Sequence, residues 1–189
     1  SSTIILDKYY QVSHEMEYYA KSDVLLVEFF TEALDSAKLD IDSYFIGKEF
    51  SPDDVVFIVF HAGLSQDFSY PTLDPTIYDI KSAYIDSTMM LEAMMHGLDP
   101  AEIANEDIYT GILLPETFNH IYYDVVEDIY YGNENLCGRQ LGLTGIFTFF
   151  LGYEFGLPPM FNNDPSSVYF GDPAVGSFGL MDQGSINGR

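Results

Sequence analysis

The sequence predicts a mixed α/β fold, because it contains two helical segments and a buried strand between them. Ser22 has the position of a helix-capping residue, and apolar side chains then recur at mostly helical spacing. These apolar positions are Val24, Val27, Leu34 and Ala37. A β-branched and aromatic run over 55–60, closed by an Ala-Gly pair, predicts a buried strand. Residues 142–155 have no polar face and predict a second helix, packed on all sides.

The other predicted elements follow from local composition and turn residues. In chain order they are a polar connector over 38–44, a loop over 66–75, a strand over 83–90, a short helix over 100–105, a strand over 108–114 and a turn-rich region after Pro159. Residues 120–131 contain two pairs of tyrosines and fit either a helix or a strand. No internal repeat or low-complexity linker divides the chain of 189 residues.

The chain is strongly acidic, with 30 acidic residues against 7 basic ones and a formal net charge of −23. That charge repels nucleic acid and anionic membranes, so we expect no nucleic-acid partner. It attracts cations, and two interpretations stay open: a solvated acidic coat, common in secreted or salt-adapted proteins, or at least one bound calcium ion. The uncharged stretch 140–153 is too short to cross a bilayer of about 30 Å as a helix, so no membrane span is expected.

A single cysteine, Cys137, excludes an intrachain disulfide and a multi-cysteine zinc site. The chain begins at Ser1 without an initiator methionine and stops at Arg189, just after a glycine-containing turn. We therefore expect a processed or truncated piece of a longer protein.

The second helical segment has the spacing of a zinc-peptidase helix without its zinc-binding residues. The long zinc motif of metzincins is H-E-x-x-H-x-x-G-x-x-H, followed later by a Met-turn. Two histidines at i and i+4 bind one zinc ion from one helix face, and the glutamate between them acts as general base. The glycine ends the helix, so that the chain can turn and bring a third ligand to the metal. When that glycine is placed on Gly156, the first histidine, the glutamate, the second histidine and the third ligand correspond to Phe149, Phe150, Tyr153 and Pro159.

The chain resembles the immune-inhibitor-A type of secreted bacterial metallopeptidase in three segments. Members of that family typically carry a helix reading H-E-F-G-H-x-L-G-L-P-D, then a loop, then G-S-W-x-L-M-x-x-G. The positions that keep the family's residue are Gly152, Gly156, Leu157, Pro158, Gly176, Ser177, Leu180, Met181 and Gly184. The strand end Phe-His-Ala-Gly at 60–63 resembles the family's strand ending in His-Ala-Gly before an acidic loop. The resemblance runs from about residue 22 to about residue 187.

The resemblance implies a zincin (metzincin-like) fold, in which a mixed twisted sheet lies over a long helix. The former active-site helix would be buried and would end at Gly156. It also implies a metallopeptidase-like domain over 22–189, truncated at its C-terminus, with residues 1–21 as an N-terminal segment packed on it. A secreted, extracellular or cell-surface location follows from the same family. Gly152, Gly156 and Met181 would then be retained scaffold residues that shape the turn and the floor of the site.

All four chemical positions depart from the family's motif together. Phenylalanine at 149 and 150 offers neither a lone pair for zinc nor a base, and Pro159 has no side-chain donor. Tyr153 could ligate a metal, but one phenol does not make a site. Without zinc there is no activated water and no Lewis acid. We therefore expect no zinc and no catalytic residues here, with Phe149, Phe150 and Tyr153 packed where zinc and its water would sit.

Two alternatives stay open for this helix. A shifted register would place Tyr153-Glu154-Phe155-Gly156 on H-E-F-G, which recovers a glutamate but deletes a helical turn and still supplies no histidine. The other alternative is an ordinary apolar helix that ends at glycine and proline and has no relation to peptidases.

Other patterns of catalysis and metal binding are weak. None of the four histidines, at 14, 61, 96 and 120, has a histidine or cysteine at i+3 or i+4. His61 is expected to border the cleft in which the peptidase family binds zinc. No G-x-S-x-G nucleophile elbow, glycine-rich phosphate loop or EF-hand pattern is present. Asp164 and Asp172 are the candidate calcium ligands, because their loop has turns and carbonyls to add.

Three functions remain open. The first is a catalytically inactive extracellular protein that binds a protein partner or assembles with itself, which the 15 tyrosines favour because tyrosine suits interfaces. The second is an active secreted hydrolase that uses an unrecognised site. The third is a plain structural domain of a larger secreted protein.

Overall fold

A computed structural model gives the structure of the chain and describes residues 2–68, 78–118, 142–164 and 166–182. The predicted segment 120–131, most of the predicted loop 66–75, and Cys137 lie outside the described residues. The described part contains helices and small sheets, which confirms the α/β class. The chain divides into two compact units, one formed by Ser1–Val59 with Ile85–Gly111 and the other by Phe60–Tyr84 with Ile112–Arg189.

The described elements are four α-helices and five strands. The helices are α1 (Met16–Tyr19), α2 (Asp23–Phe45), α3 (Ser87–Met95) and α4 (Thr144–Glu154). The strands are β1 (Ile58–Leu64), β2 (Ala83–Ile85), β3 (Ala101–Ile103), β4 (Glu106–Ile108) and β5 (Gly111–Thr117). One sheet has the order β1-β5-β2, and the second pairs β3 with β4. Short 3-10 turns cover Pro52–Asp54, Gln66–Phe68 and Gly176–Phe178. Within the described ranges, none of the helices has the length and apolar character needed to cross a membrane.

Helix α2 begins where the sequence predicts but runs further. The Ser22 hydroxyl accepts a hydrogen bond from the Leu25 amide at 3.3 Å, which confirms Ser22 as the cap. The predicted connector 38–44 is wrong, because these residues continue the helix to Phe45. Lys38 forms an ion pair with Asp42 one helical turn later, at 3.2 Å, and Asp42 also accepts a hydrogen bond from the Ala104 amide at 2.8 Å. These contacts keep a polar segment helical.

The predicted helix over 100–105 is also wrong, since this segment is the first half of a β-hairpin. Strands β3 and β4 pair antiparallel, with Ala101 opposite Ile108 and Ile103 opposite Glu106. Ala104 and Asn105 have φ values of 51° and 67°, as a two-residue turn of the I′ type requires.

The boundaries of the other strands shift from their predicted positions. The strand predicted over 55–60 is β1 and starts three residues later, at Ile58. The strand predicted over 83–90 ends at Ile85, because the Asp86 carboxylate accepts a hydrogen bond from the Met89 amide at 2.8 Å and caps α3. The strand predicted over 108–114 falls on β5, which starts at Gly111 and is completely buried over Ile112–Leu114.

The N-terminal segment lies against α2 within the first unit. Lys8 and Tyr10 both donate hydrogen bonds to the Asp40 carboxylate, at 2.7 Å each. Further along α2, Glu32 accepts hydrogen bonds from the Ser13 amide at 2.6 Å and from the Tyr19 hydroxyl. The segment is therefore fixed to α2 by carboxylates at two levels of the helix.

Candidate functional site

Helix α4 ends at a glycine in the left-handed conformation, as the sequence predicts. Gly156 has a φ of +75°. Its amide donates to the Tyr153 carbonyl at 2.8 Å, and the Leu157 amide donates to the Gly152 carbonyl at 2.9 Å. These two hydrogen bonds form a Schellman motif, which satisfies the last carbonyls of the helix and reverses the chain. The prediction that Gly156 ends the helix is confirmed.

Gly152 and Met181, which the resemblance marks as retained residues, lie in direct contact. A Cβ atom built on Gly152 would lie 3.0 Å from the Met181 Cε atom and closer still to its sulfur. Met181 is buried, and its carbonyl accepts a hydrogen bond from the Met160 amide at 2.7 Å. We call residues 176–184, which resemble the family's Met-turn, the Met-turn-like segment. The helix lacks a side chain at the place where Met181 of this segment packs against it.

In the register drawn from the sequence, the two expected histidine positions carry aromatic rings in mutual contact. Phe149 and Tyr153 stand one helical turn apart, and their ring centroids are 4.9 Å apart in an edge-to-face arrangement. The Phe150 ring lies 5.6 Å from that of Phe149, and both phenylalanines are buried. The i, i+4 spacing thus brings the two positions together, as a shared metal would require, but the contact is apolar.

Two further rings complete this aromatic cluster, which we define as Tyr84, Phe149, Phe150, Tyr153 and Phe161. Phe161 stacks on Phe149 with centroids 6.3 Å apart, and Tyr84 stacks on Tyr153 at 5.7 Å. The sequence did not identify either residue, because both are distant in the chain and neither belongs to the motif. Pro159, at the third ligand position, is half-buried two residues before Phe161.

The protonation state of Tyr153 follows from its burial. Burial raises the pKa of Tyr153, which keeps its phenol protonated at neutral pH. A protonated phenol is a poor zinc ligand, and the three motif positions that carry phenylalanine or proline, at 149, 150 and 159, supply no other donor. The described α4 is only half-buried outside Phe149, Phe150 and Gly152, so the prediction of packing on all sides is wrong.

Glu154 would be the general base if Tyr153-Glu154-Phe155-Gly156 were aligned with H-E-F-G. One oxygen of its carboxylate lies inside the protein. Its Oε2 atom is buried and has no hydrogen-bond partner among the residues that the structure describes. No histidine accompanies it at either flanking position in that register.

His61 lies in β1 near a polar turn of the second unit. Its side chain is buried, and its Nδ1 atom lies 3.1 Å from the Ala62 carbonyl oxygen. Burial lowers the His61 pKa, with an opposing effect of nearby backbone and carboxylate groups, so the ring is neutral at pH 7. In the adjoining turn the Ser65 hydroxyl donates to Asp67 at 2.6 Å, and the Ser82 amide donates to the same carboxylate at 2.9 Å.

The candidate calcium ligands Asp164 and Asp172 both lie on the exposed loop after α4. The Asp164 carboxylate accepts hydrogen bonds from the Ser166 hydroxyl and amide, at 2.7 and 2.9 Å, and these bonds lower its pKa. The backbone carbonyl of Asp172 accepts a hydrogen bond from the Asn162 amide at 3.0 Å. In the described part of the chain, no group of three or more histidine, cysteine or carboxylate side chains could hold a metal ion.

Asp182 holds the Met-turn-like segment, a role that the sequence did not reveal. Its buried carboxylate accepts hydrogen bonds from the Val175 amide at 2.8 Å and the Gly176 amide at 3.0 Å. A carboxylate that accepts two backbone hydrogen bonds fixes the turn immediately before Gly176–Phe178.

Comparisons with known proteins give no relative: no family model matches the chain, and no curated protein or solved structure matches it either.

Proposed function

We propose that this chain is a catalytically inactive, metallopeptidase-like extracellular protein that acts by binding a partner or by self-assembly. The observation that carries the proposal is the ring contact between Phe149 and Tyr153, at the two positions where a zinc-peptidase helix has its histidines. Burying the Phe149 ring stabilises the scaffold by on the order of 1.5–3 kcal/mol, and the half-buried Tyr153 ring adds less.

The scaffold around the rings supports the same proposal. The Schellman motif at Gly156 fits the chain reversal that the peptidase motif needs after its helix, and Met181 packs against Gly152, two positions at which the chain keeps the family's residue. The zincin fold, the secreted or cell-surface location and the absence of zinc belong to this proposal and rest on the motif resemblance.

A digestion assay combined with sedimentation tests the proposed function. We expect casein and denatured collagen to stay intact, as in a buffer control, and zinc chelation to change nothing. Hydrolysis that a zinc chelator abolishes would overturn the proposal. Hydrolysis that persists with the chelator would favour an active hydrolase with a different site, for which the His61 and Ser65 region is the first to mutate.

Sedimentation at micromolar concentration, in a buffer that contains calcium, separates binding from a plain structural role. A stable self-assembled species or a co-purified protein partner supports the proposal, and its interface should bury on the order of 1,200 Å² or more. A clean monomer that retains no partner from the native source would instead favour the structural domain.

A further inference from the structure

A loop of the second unit exposes three consecutive large apolar side chains. Val168, Tyr169 and Phe170 are 92%, 64% and 59% exposed, respectively, and we call these three residues the apolar tip. Single exposed apolar residues are normal on protein surfaces, but a contiguous group marks an interaction site. The tip lies outside the aromatic cluster, so it has no role in filling the former zinc site.

The apolar tip is held in shape by the loop's own hydrogen bonds. The Ser167 amide donates to the Asp164 carbonyl at 3.0 Å, and the Phe170 amide donates to the Ser167 carbonyl at 3.1 Å. At the base of the loop, the Gly171 amide donates to the Asn162 carbonyl at 2.7 Å, and Phe161 bridges Pro173. A loop that is already ordered loses little conformational entropy when it binds, which favours recognition.

The negative charge around the apolar tip is complementary to a partner surface that carries positive charge. Asp164 and Asp172 flank the tip and are both exposed, and hydrogen bonds from Ser166 lower the pKa of Asp164. The sequence has no lysine or arginine between Arg139 and Arg189. An apolar surface flanked by carboxylates is complementary to an apolar surface flanked by cations.

A second copy of this chain is a poor match for that requirement. Each copy carries a formal charge of −23, so two copies repel each other. Four lysines of the first unit already interact within their own chain. Lys8 pairs with Asp40, Lys21 with Glu17, and Lys38 with Asp42 and Glu102, while Lys48 lies 3.2 Å from the centroid of the Tyr44 ring.

We propose that the apolar tip inserts into an apolar depression on a different protein, one whose rim carries lysine or arginine. The inference rests on the proposed binding function and specifies its surface and its partner. Val168 and Phe170 supply the buried apolar contact, Tyr169 adds an aromatic ring with a polar end, and Asp164 and Asp172 pair with the rim.

Selection from a phage-displayed library of random peptides, with the intact chain as bait, tests the inference. The tip variant Val168→Ser/Tyr169→Ser/Phe170→Ser removes the apolar surface and leaves the charge unchanged. The matched control Ile5→Ser/Leu39→Ser/Ile46→Ser removes three apolar residues of the first unit that are 79–85% exposed. We expect selected peptides to combine lysine or arginine with apolar residues. They should bind the wild type and the control variant alike, and the tip variant at least tenfold more weakly.

Several results would overturn the inference. They are a selection without enrichment, selected peptides that lack cationic residues, and peptides that bind the tip variant as well as the wild type. Tip-dependent binding to neutral phosphatidylcholine vesicles would replace the partner protein with a membrane surface, and tip-dependent dimerisation in sedimentation would replace it with a second copy.

NMR of the wild type with a selected peptide gives a second measurement, because shift changes must concentrate at residues 162–172. The digestion assay is independent of the tip, so the proposed function and this inference can fail separately.

Discussion

At the scale of single residues, the contact between Gly152 and Met181 gives the sharpest test of the packing. A methyl group on Gly152 would press on the buried Met181 side chain, so Gly152→Ala should lower the free energy of unfolding by about 1–3 kcal/mol. In a Met181→Ala background the space is free, and alanine is the better helix former by up to about 1 kcal/mol. Gly152→Ala should then be neutral or stabilising. Urea denaturation of the four proteins in this double-mutant cycle measures both effects.

A Gly152→Ala substitution with the same effect in both backgrounds would show that Met181 does not pack on the helix. The Met181→Ala variant alone serves as the reference, since the cavity that it leaves should cost about 2–5 kcal/mol of stability.

The sequence could predict only part of the site at this scale. The contact between Phe149 and Tyr153 follows from their i, i+4 spacing, and the turn at Gly156 follows from the freedom of glycine at positive φ. Phe161 and Tyr84 could not be assigned to the aromatic cluster, because their contacts depend on how distant segments fold together. The role of Asp182 could not be predicted for the same reason, since it depends on which backbone amides its carboxylate contacts in the folded chain.

At the scale of elements, local signals located the start of α2 and the end of α4, but not the end of α2. Ser22 is a capping residue and the start of α2 follows from it, but the polar residues 38–44 looked like a connector. Their helical state depends on the ion pair of Lys38 with Asp42 and on the bond from Asp42 to Ala104 in the hairpin, which is a tertiary contact. The sequence did contain a local signal for strand β3 of the hairpin. Residues 101–103 alternate apolar, charged and apolar, and in the structure Ala101 and Ile103 are buried while Glu102 is exposed.

The attachment of the N-terminal segment to α2 should depend on pH. Hydrogen bonds from Lys8 and Tyr10 lower the pKa of Asp40. Burial alone would raise the Glu32 pKa, but hydrogen bonds from Ser13 and Tyr19 outweigh it, and the Glu32 pKa is lowered. A carboxylate with a lowered folded-state pKa stabilises the fold above its unfolded pKa, which is roughly 4, and this stabilisation is lost as the pH falls through the folded value. Limited proteolysis should show residues 2–14 resistant to cleavage near pH 6 and progressively easier to cleave below about pH 4.

The variant Asp40→Asn/Glu32→Gln provides the control for this pH dependence. Its N-terminal segment should be weakly protected at pH 6 and should change little on acidification. If the variant keeps the wild-type pH profile, other groups attach the segment to α2.

At the scale of the whole molecule, the net charge of −23 predicts a response to calcium. A divalent cation relieves the repulsion between carboxylates, and a site that includes Asp164 and Asp172 would bind only the folded chain. Calcium at about ten times its Kd should add about 1.4 kcal/mol of stability, which raises the Tm by roughly 3–6 °C. Thermal denaturation in calcium, in magnesium and in sodium chloride of equal ionic strength measures this response.

The variant Asp164→Asn/Asp172→Asn should lose the calcium response, while Asp53→Asn/Asp54→Asn, which removes as many exposed carboxylates elsewhere, should keep it. Equal melting curves in the three salts would mean that the acidic surface binds no calcium specifically.

The central claim is that a zinc-peptidase scaffold has lost its metal, and zinc content per chain is its most direct measurement. The test compares the wild type with a variant in which the motif is restored by Phe149→His, Phe150→Glu, Tyr153→His and Pro159→His. After expression with added zinc and purification without chelators, elemental analysis should find far less than one zinc per wild-type chain. The restored variant should approach one zinc per chain, because its ligands regain the spacing of the motif on a helix that ends at Gly156. Stoichiometric zinc in the wild type would contradict the claim, and a restored variant that is folded but free of zinc would contradict the register.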